Sequence, residues 1–216
     1  MSNSRTGPPN KGKKYPAEPL TPGEVAAMLD ACSRKAPTGI RNRALLTLLY
    51  RSGLRVSEAL ALRPADVDLD KHAIRLVAGG QASRSAGVSL TKSGGAQTRG
   101  FHPSGVDALA RWLDTRRQLG IRNGRLFCTL DGGPISDDYV RGMMRRLATR
   151  AGIDKRVHPH GLRHTFAVEL EHAGTPVTVI SKLLGHSSVA VTARYLDHLT
   201  NHQAVAALEA VELPPL

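Results

Sequence analysis

The chain has 216 residues, with 30 Lys and Arg against 18 Asp and Glu for a formal net charge of +12; the length suits one domain with a sizeable core, and the charge points to a polyanionic partner. Aromatics make up 4% of residues, which argues against the base-stacking platforms of single-strand binders and for a duplex. No apolar run approaches the ~18 residues of a membrane span, no hydrophobic stretch follows the charged N-terminus as in a secretory signal, and Cys32 and Cys128 lack metal or redox spacing and read as reduced core residues of a cytosolic protein.

Residues 1–19 are rich in Pro, Gly, Lys and Asn and read as a flexible basic tail, either brushing a polyanion or simply solubilising the chain. Order is predicted from Leu20. Thr21 is an N-cap, Pro22 takes the first helical position, and Glu24 completes a capping box for a helix running to about Ser33. A second helix spans Ile40 to Ser52, with Leu45, Leu48 and Leu49 on one face and Gly53 ending it. A short helix carries Val56 to Leu62 and stops at Pro64. Ala73 to Val77, Val88 to Thr91 and Thr98 to Phe101 read as strands. A polar loop from Gly79 to Gly87 follows the first strand, and Ser93-Gly94-Gly95 forms a hairpin tip between the other two. Helices return at Ser104 to Leu119, Ser136 to Ala151, Gly161 to Ala173, Val177 to Leu184 and Val189 to Leu196. A last Ala-rich helix covers Asn201 to Val211, before Pro214-Pro215. The sum is a mostly α domain with a small three-stranded antiparallel β-sheet, an α+β architecture without internal repeats.

Charge concentrates in one stretch. Between Tyr139 and His164 lie Arg141, Arg145, Arg146, Arg150, Lys155, Arg156 and Arg163, against Asp154 alone. Such a run is either a solvated helix face or a track for phosphates, and its place just before His160 favours the track.

Four local patterns hold the groups that phosphodiester chemistry requires. They are Ser52-Gly-Leu-Arg55-Val-Ser-Glu58, Leu90-Thr-Lys92-Ser-Gly-Gly95, His160-Gly-Leu-Arg163-His164, and Leu183-Leu-Gly-His186 followed by Tyr195. A phosphodiester resists attack because its charge repels nucleophiles and grows in the transition state. Fixed donors on the non-bridging oxygens relieve this, and losing one costs ~10²–10³ in rate. Arg55 and Arg163 suit the role, since a guanidinium fork grips two oxygens and stays charged. Glu58 shares a helical face with Arg55 and would orient it, or else forms a simple surface pair. His160 and Arg163, three apart, point the same way on one helix, and the histidine pKa suits proton transfer in either direction. Tyr195 is the candidate nucleophile. With a pKa near 10, only about one in a thousand tyrosines is ionised at pH 7, so it needs polarising neighbours. Taken singly, each residue has a plainer role: a surface arginine, a ring packed on the core, a solvated turn lysine. A metal set of His158, His160 and His164 is disfavoured for want of a carboxylate or cysteine ligand at the right spacing.

Together the patterns, their order and their spacing resemble the tyrosine recombinases, the family of phage integrases and Xer-type resolvases, over roughly Leu20 to Leu199. The resemblance implies the recombinase catalytic-domain fold for 20–200, with 201–216 as a C-terminal helix and tail that docks on a neighbouring protomer or folds back on its own core. It places the nucleophile nine positions after His186 (195 − 186), at Tyr195. It makes Lys92, eleven positions before Pro103 (103 − 92), the general acid for the 5′ oxygen. His160 and His186 become acid–base and hydrogen-bonding partners, and His164 a structural residue. The implied reaction is transesterification through a 3′-phosphotyrosyl bond, with no cofactor and no metal. The implied partners are a specific duplex DNA site, further copies of the chain on that DNA, and an accessory DNA-binding protein. A cytoplasmic, nucleoid-associated location follows. Most of the family clamps DNA with a second, core-binding domain, and the roughly 20 residues before the catalytic part are too few for one. The expectation is therefore a single-domain recombinase or an excised fragment, either of which binds DNA weakly and salt-sensitively. Competing readings are a type IB topoisomerase, a DNA-binding module that does not cut, and a telomere resolvase, for which the chain is small.

Overall fold

Thr21 opens α1 (Pro22–Asp30) with the predicted capping box: its hydroxyl accepts from the Glu24 amide at 3.2 Å, and the Glu24 carboxylate accepts from the Thr21 amide at 2.7 Å. The computed structural model describes residues 19–76, 97–122 and 124–185. The helix stops three residues short of the predicted Ser33, because the Ser33 hydroxyl accepts from the amides of Lys35 and Ala36 and turns the chain away. α2 (Pro37–Ser52) starts earlier than predicted, with Pro37 in the first turn, where its missing N–H costs nothing. It is the central helix. Ala44, Leu45, Leu48 and Leu49 are fully buried, and it packs against α4 (Val106–Gln118) and α6 (Pro159–His172).

α3 (Val56–Ala61) follows, and then a three-stranded antiparallel sheet in the order β1 (Val67–Asp68), β2 (Ala73–Leu76), β3 (Gln97–Gly100). Val67 pairs with Ile74, and Ile74 with Arg99. The two-residue β1 was not predicted, being too short to show alternation. The predicted strand Val88–Thr91, the loop before it, the hairpin tip, the helices Val189–Leu196 and Asn201–Val211, and residues 1–18 lie outside the described residues. α5 (Asp137–Arg150), α6 and α7 (Val177–Leu184) complete the described chain within two residues of their predicted bounds. Cys32 and Cys128 are buried free thiols, and burial pushes Cys32 up to about 11, leaving it protonated and inert. No helix among the described residues is long and apolar enough to cross a membrane.

Most buried side chains form one core, while Phe166, Ala167, Ile180 and Leu184 form a smaller one that joins α6 to α7. Gly53 connects the two. It caps α2 at φ 61°, and a Cβ there would lie 2.6 Å from Phe166 Cδ1 and 2.8 Å from Leu184 Cδ2. Gly53→Ala combines a left-handed backbone with this overlap and is expected to destabilise the fold by about 1–3 kcal/mol, measured by urea unfolding.

Candidate active site

Four helices meet beside Gly53: the cap of α2, the start of α3, the N-terminal half of α6 and the end of α7. Arg55 is the N-cap of α3, with half of its side chain exposed. Glu58 holds it at two points. One carboxylate oxygen accepts from the Arg55 amide at 2.8 Å, and the other accepts from Nη1 at 2.9 Å. Glu58 itself is 3% exposed, so this is not the surface pair that the sequence left open.

Arg163 enters from α6 and is buried, with Nη1 donating to the Gly53 carbonyl at 2.6 Å and Nη2 to the Leu184 carbonyl at 2.7 Å. These bonds fix the plane of its fork. His160 lies one turn earlier, at the exposed rim. Partial loss of hydration lowers its pKa below the usual histidine value; the charges of Arg163 and then Arg55 push the same way. His160, Arg163 and Arg55 therefore share one electrostatic environment. His158 caps α6, its Nδ1 accepting from the Gly161 amide at 3.0 Å, and its ring lies parallel to that of His160 with centroids 6.3 Å apart. His164 is buried, away from that rim.

One residue of the cluster was missed in the sequence. Arg99, on β3, is 5% exposed. Its Nη1 donates to the same Leu184 carbonyl at 2.7 Å and stands 3.8 Å from Glu58 Oε2. Burial lowers its pKa, Glu58 opposes that shift, and Arg55 adds to it. The available signal was parity: Arg99 shares its strand face with Phe101, a core residue two positions on. Gly185, of the Leu183-Leu-Gly pattern, permits the approach. Its φ is +62°, and a Cβ there would fall 1.8 Å from Arg99 Nη2.

Lys92, His186 and Tyr195 lie outside the described residues. His186 follows Gly185 directly in the chain, so α7 delivers the chain to the cluster one residue before that histidine. The basic stretch is on α5 and the turn after it. Arg141, Arg145, Arg146, Arg150 and Arg156 are exposed, although Arg141 pairs with Asp137 at 2.7 Å. Lys155 is half-buried and bound to Glu24 at 3.1 Å, so it ties α1 to the turn before α6. Arg141, Arg145, Lys155, Arg156 and His158 line a shallow cavity of about 700 Å³.

The sequence model of the phage integrase family matches residues 18–202. The chain belongs to the phage integrase family. Among curated relatives it is 34% identical over 199 residues to the tyrosine recombinase XerD of Corynebacterium glutamicum, covering 89% of this chain and 60% of that protein. Of solved structures, the XerA recombinase matches 96% of this chain and 68% of that one, at 27% identity and a TM-score of 0.73. The integrase of the Tn1549 transposon, solved with a circular intermediate DNA, shares the fold at 23% identity and a TM-score of 0.74 over 92% of this chain and 67% of that one. The chain thus spans about three-fifths of the length of the curated relative. The mostly helical fold with its small antiparallel sheet is the catalytic-domain fold of this integrase family, as the sequence implied.

In this integrase fold the neutral form of His160 is favoured. Its folded pKa lies below the ordinary histidine value of 6.5, so folding stability from this group is complete above 6.5 and is lost as pH falls from there through the lowered value. His158, lowered by burial and then by Arg156, adds in the same direction. The expected result is that thermal stability falls on acidification below 6.5, and that His160→Asn flattens this dependence. An unchanged slope in the variant would contradict the assignment.

Proposed function

We propose that this chain is the catalytic part of a site-specific DNA recombinase that cleaves and rejoins duplex DNA by transesterification. The observation that carries the reading is the charge of the site: Arg55 and Arg99 share one buried carboxylate, Glu58, and Arg163 shares the Leu184 carbonyl with Arg99, with His160 at the rim. This excess of fixed cation suits a dianionic transition state. The names of the relatives, tyrosine recombinases, agree with it.

In this reading Arg55 and Arg163 hold the non-bridging oxygens. The Tyr195 oxygen attacks phosphorus as the bond from phosphorus to the 5′ oxygen breaks. Lys92 gives the leaving oxygen its proton, while His160 and His186 hold or accept protons at the phosphate. A 5′ hydroxyl from a partner strand then displaces Tyr195. Bond energy is conserved in the phosphotyrosyl link, so the reaction consumes no nucleotide. The catalytic domain spans 20–200. Residues 201–216 serve a protomer contact that assembles copies on DNA, with an accessory DNA-binding protein as a further partner, in the nucleoid of the cytoplasm.

Strand exchange separates this from a type IB topoisomerase. Exchange of flanking sequence between two site-bearing DNAs is expected, with little relaxation of a supercoiled plasmid lacking the site. Relaxation of that plasmid at a matching rate would contradict the recombinase reading.

Arg145 and Arg156 represent the phosphate track. Replacing either with Ala should weaken binding to all sequences alike and reduce the slope of log affinity against log salt by about 1. An unaltered slope in gel shifts at several salt concentrations would remove that residue from the track.

A further inference from the structure

We propose that Arg99 is a positioning residue of the active site, setting the places of both Arg163 and Arg55 without touching DNA itself. The proposal rests on the recombinase reading of the site.

Arg99 is a charge at a core position. Arg99 faces the core from a strand position directly opposite Ile74, which is fully buried. An arginine costs far more than a leucine at such a position unless its charge and donors are matched. The match is made by two groups that each serve a second arginine. Glu58, 3.8 Å from Arg99 Nη1, is the carboxylate that grips Arg55. The Leu184 carbonyl, 2.7 Å from Arg99 Nη1, also accepts from Arg163 at 2.7 Å. One buried guanidinium thus meets the anchor of each clamp arginine.

Two consequences follow from this shared geometry. A carbonyl with two lone pairs can take both donors, and each then restricts the angle available to the other. The peptide from Leu184 to Gly185 is held from two sides, and that peptide leads into His186. Glycine at 185 fits the same reading: a side chain there would occupy the space of the Arg99 guanidinium. Arg99 also ties the sheet to the helices, because β3 carries no other buried side chain among its four residues.

The test uses Arg99→Met, which retains stem volume without charge, and Arg99→Lys, which retains charge without the fork. Two readouts are taken on the full chain. The first is the Nε nitrogen and proton resonances of Arg55 and Arg163 without DNA. The second is single-turnover cleavage of site-bearing DNA, alone and combined with Arg163→Lys. Expected are displaced resonances for both arginines, unchanged DNA affinity, and a ~10²-fold loss of cleavage that does not multiply with the loss from Arg163→Lys. Unmoved resonances in a folded variant, or fully multiplicative losses, would overturn the proposal. If Arg99→Met does not fold, Arg99→Lys supplies both readouts. If the unaltered chain fails to cleave, the recombinase reading fails, and the resonances still decide whether Arg99 positions its neighbours.

Discussion

Arg163→Lys should lower the rate of DNA cleavage by ~10²–10³-fold, the cost of one lost transition-state donor. Lysine retains the charge but has a single nitrogen, which cannot span the Gly53 and Leu184 carbonyls as the guanidinium does at 2.6 and 2.7 Å. One buried carbonyl is then left short of its donor, and urea unfolding should register about 1–3 kcal/mol of lost stability. The two effects separate. At a denaturant concentration where the variant remains folded, single-turnover cleavage still shows the full deficit. Cleavage within an order of magnitude of the unaltered chain would remove Arg163 from the phosphate clamp and leave it a structural staple between α2, α6 and α7.

Glu58→Gln carries the largest expected stability loss. The amide keeps the shape of the carboxylate and one acceptor for the Arg55 backbone, but it leaves Arg99, 5% exposed, without its buried counter-charge. Breaking such a pair from one side costs about 3–5 kcal/mol. Removing both charges together, in Glu58→Gln with Arg99→Met, should recover part of that loss, since the double variant buries no lone charge. Urea unfolding of the three variants tests this. If the double variant is as unstable as the sum of the singles, Glu58 and Arg99 do not act as a pair, and the 3.8 Å separation between them carries little energy.

The parts of the site that were legible in the sequence are those governed by local spacing. Arg55 and Glu58 are three apart across the start of a helix, and so are His160 and Arg163; a single turn brings each pair together whatever the rest of the chain does. Gly53 and the Thr21 capping box were legible for the same reason, because helix ends are written in one or two residues. What the sequence concealed depends on distant segments. Arg99 is 41 residues from Glu58 and 85 from Leu184 (99 − 58 and 184 − 99), and within its strand only its parity with Phe101 marks it as inward. The Leu184 carbonyl is a backbone atom, which no side-chain pattern reports, yet it joins two arginines. The early start of α2 and the two-residue β1 escaped because neither adds a period to the hydrophobic pattern. Lys155 is a further instance: within a basic run it reads as a phosphate contact, whereas the fold brings Glu24 to it from 131 residues away.

The central claim is that Tyr195 becomes joined to DNA at a site organised by Arg55 and Arg163. The most direct measurement is covalent capture: the chain is incubated with nicked, fragmented DNA from its source, denatured in SDS, and the attached DNA sequenced, with Tyr195→Phe in parallel. The account predicts an adduct through a 3′ phosphate, absent in Tyr195→Phe and mapping to one recurring sequence. An adduct that persists in Tyr195→Phe, or bound DNA with no adduct from the unaltered chain, would contradict it.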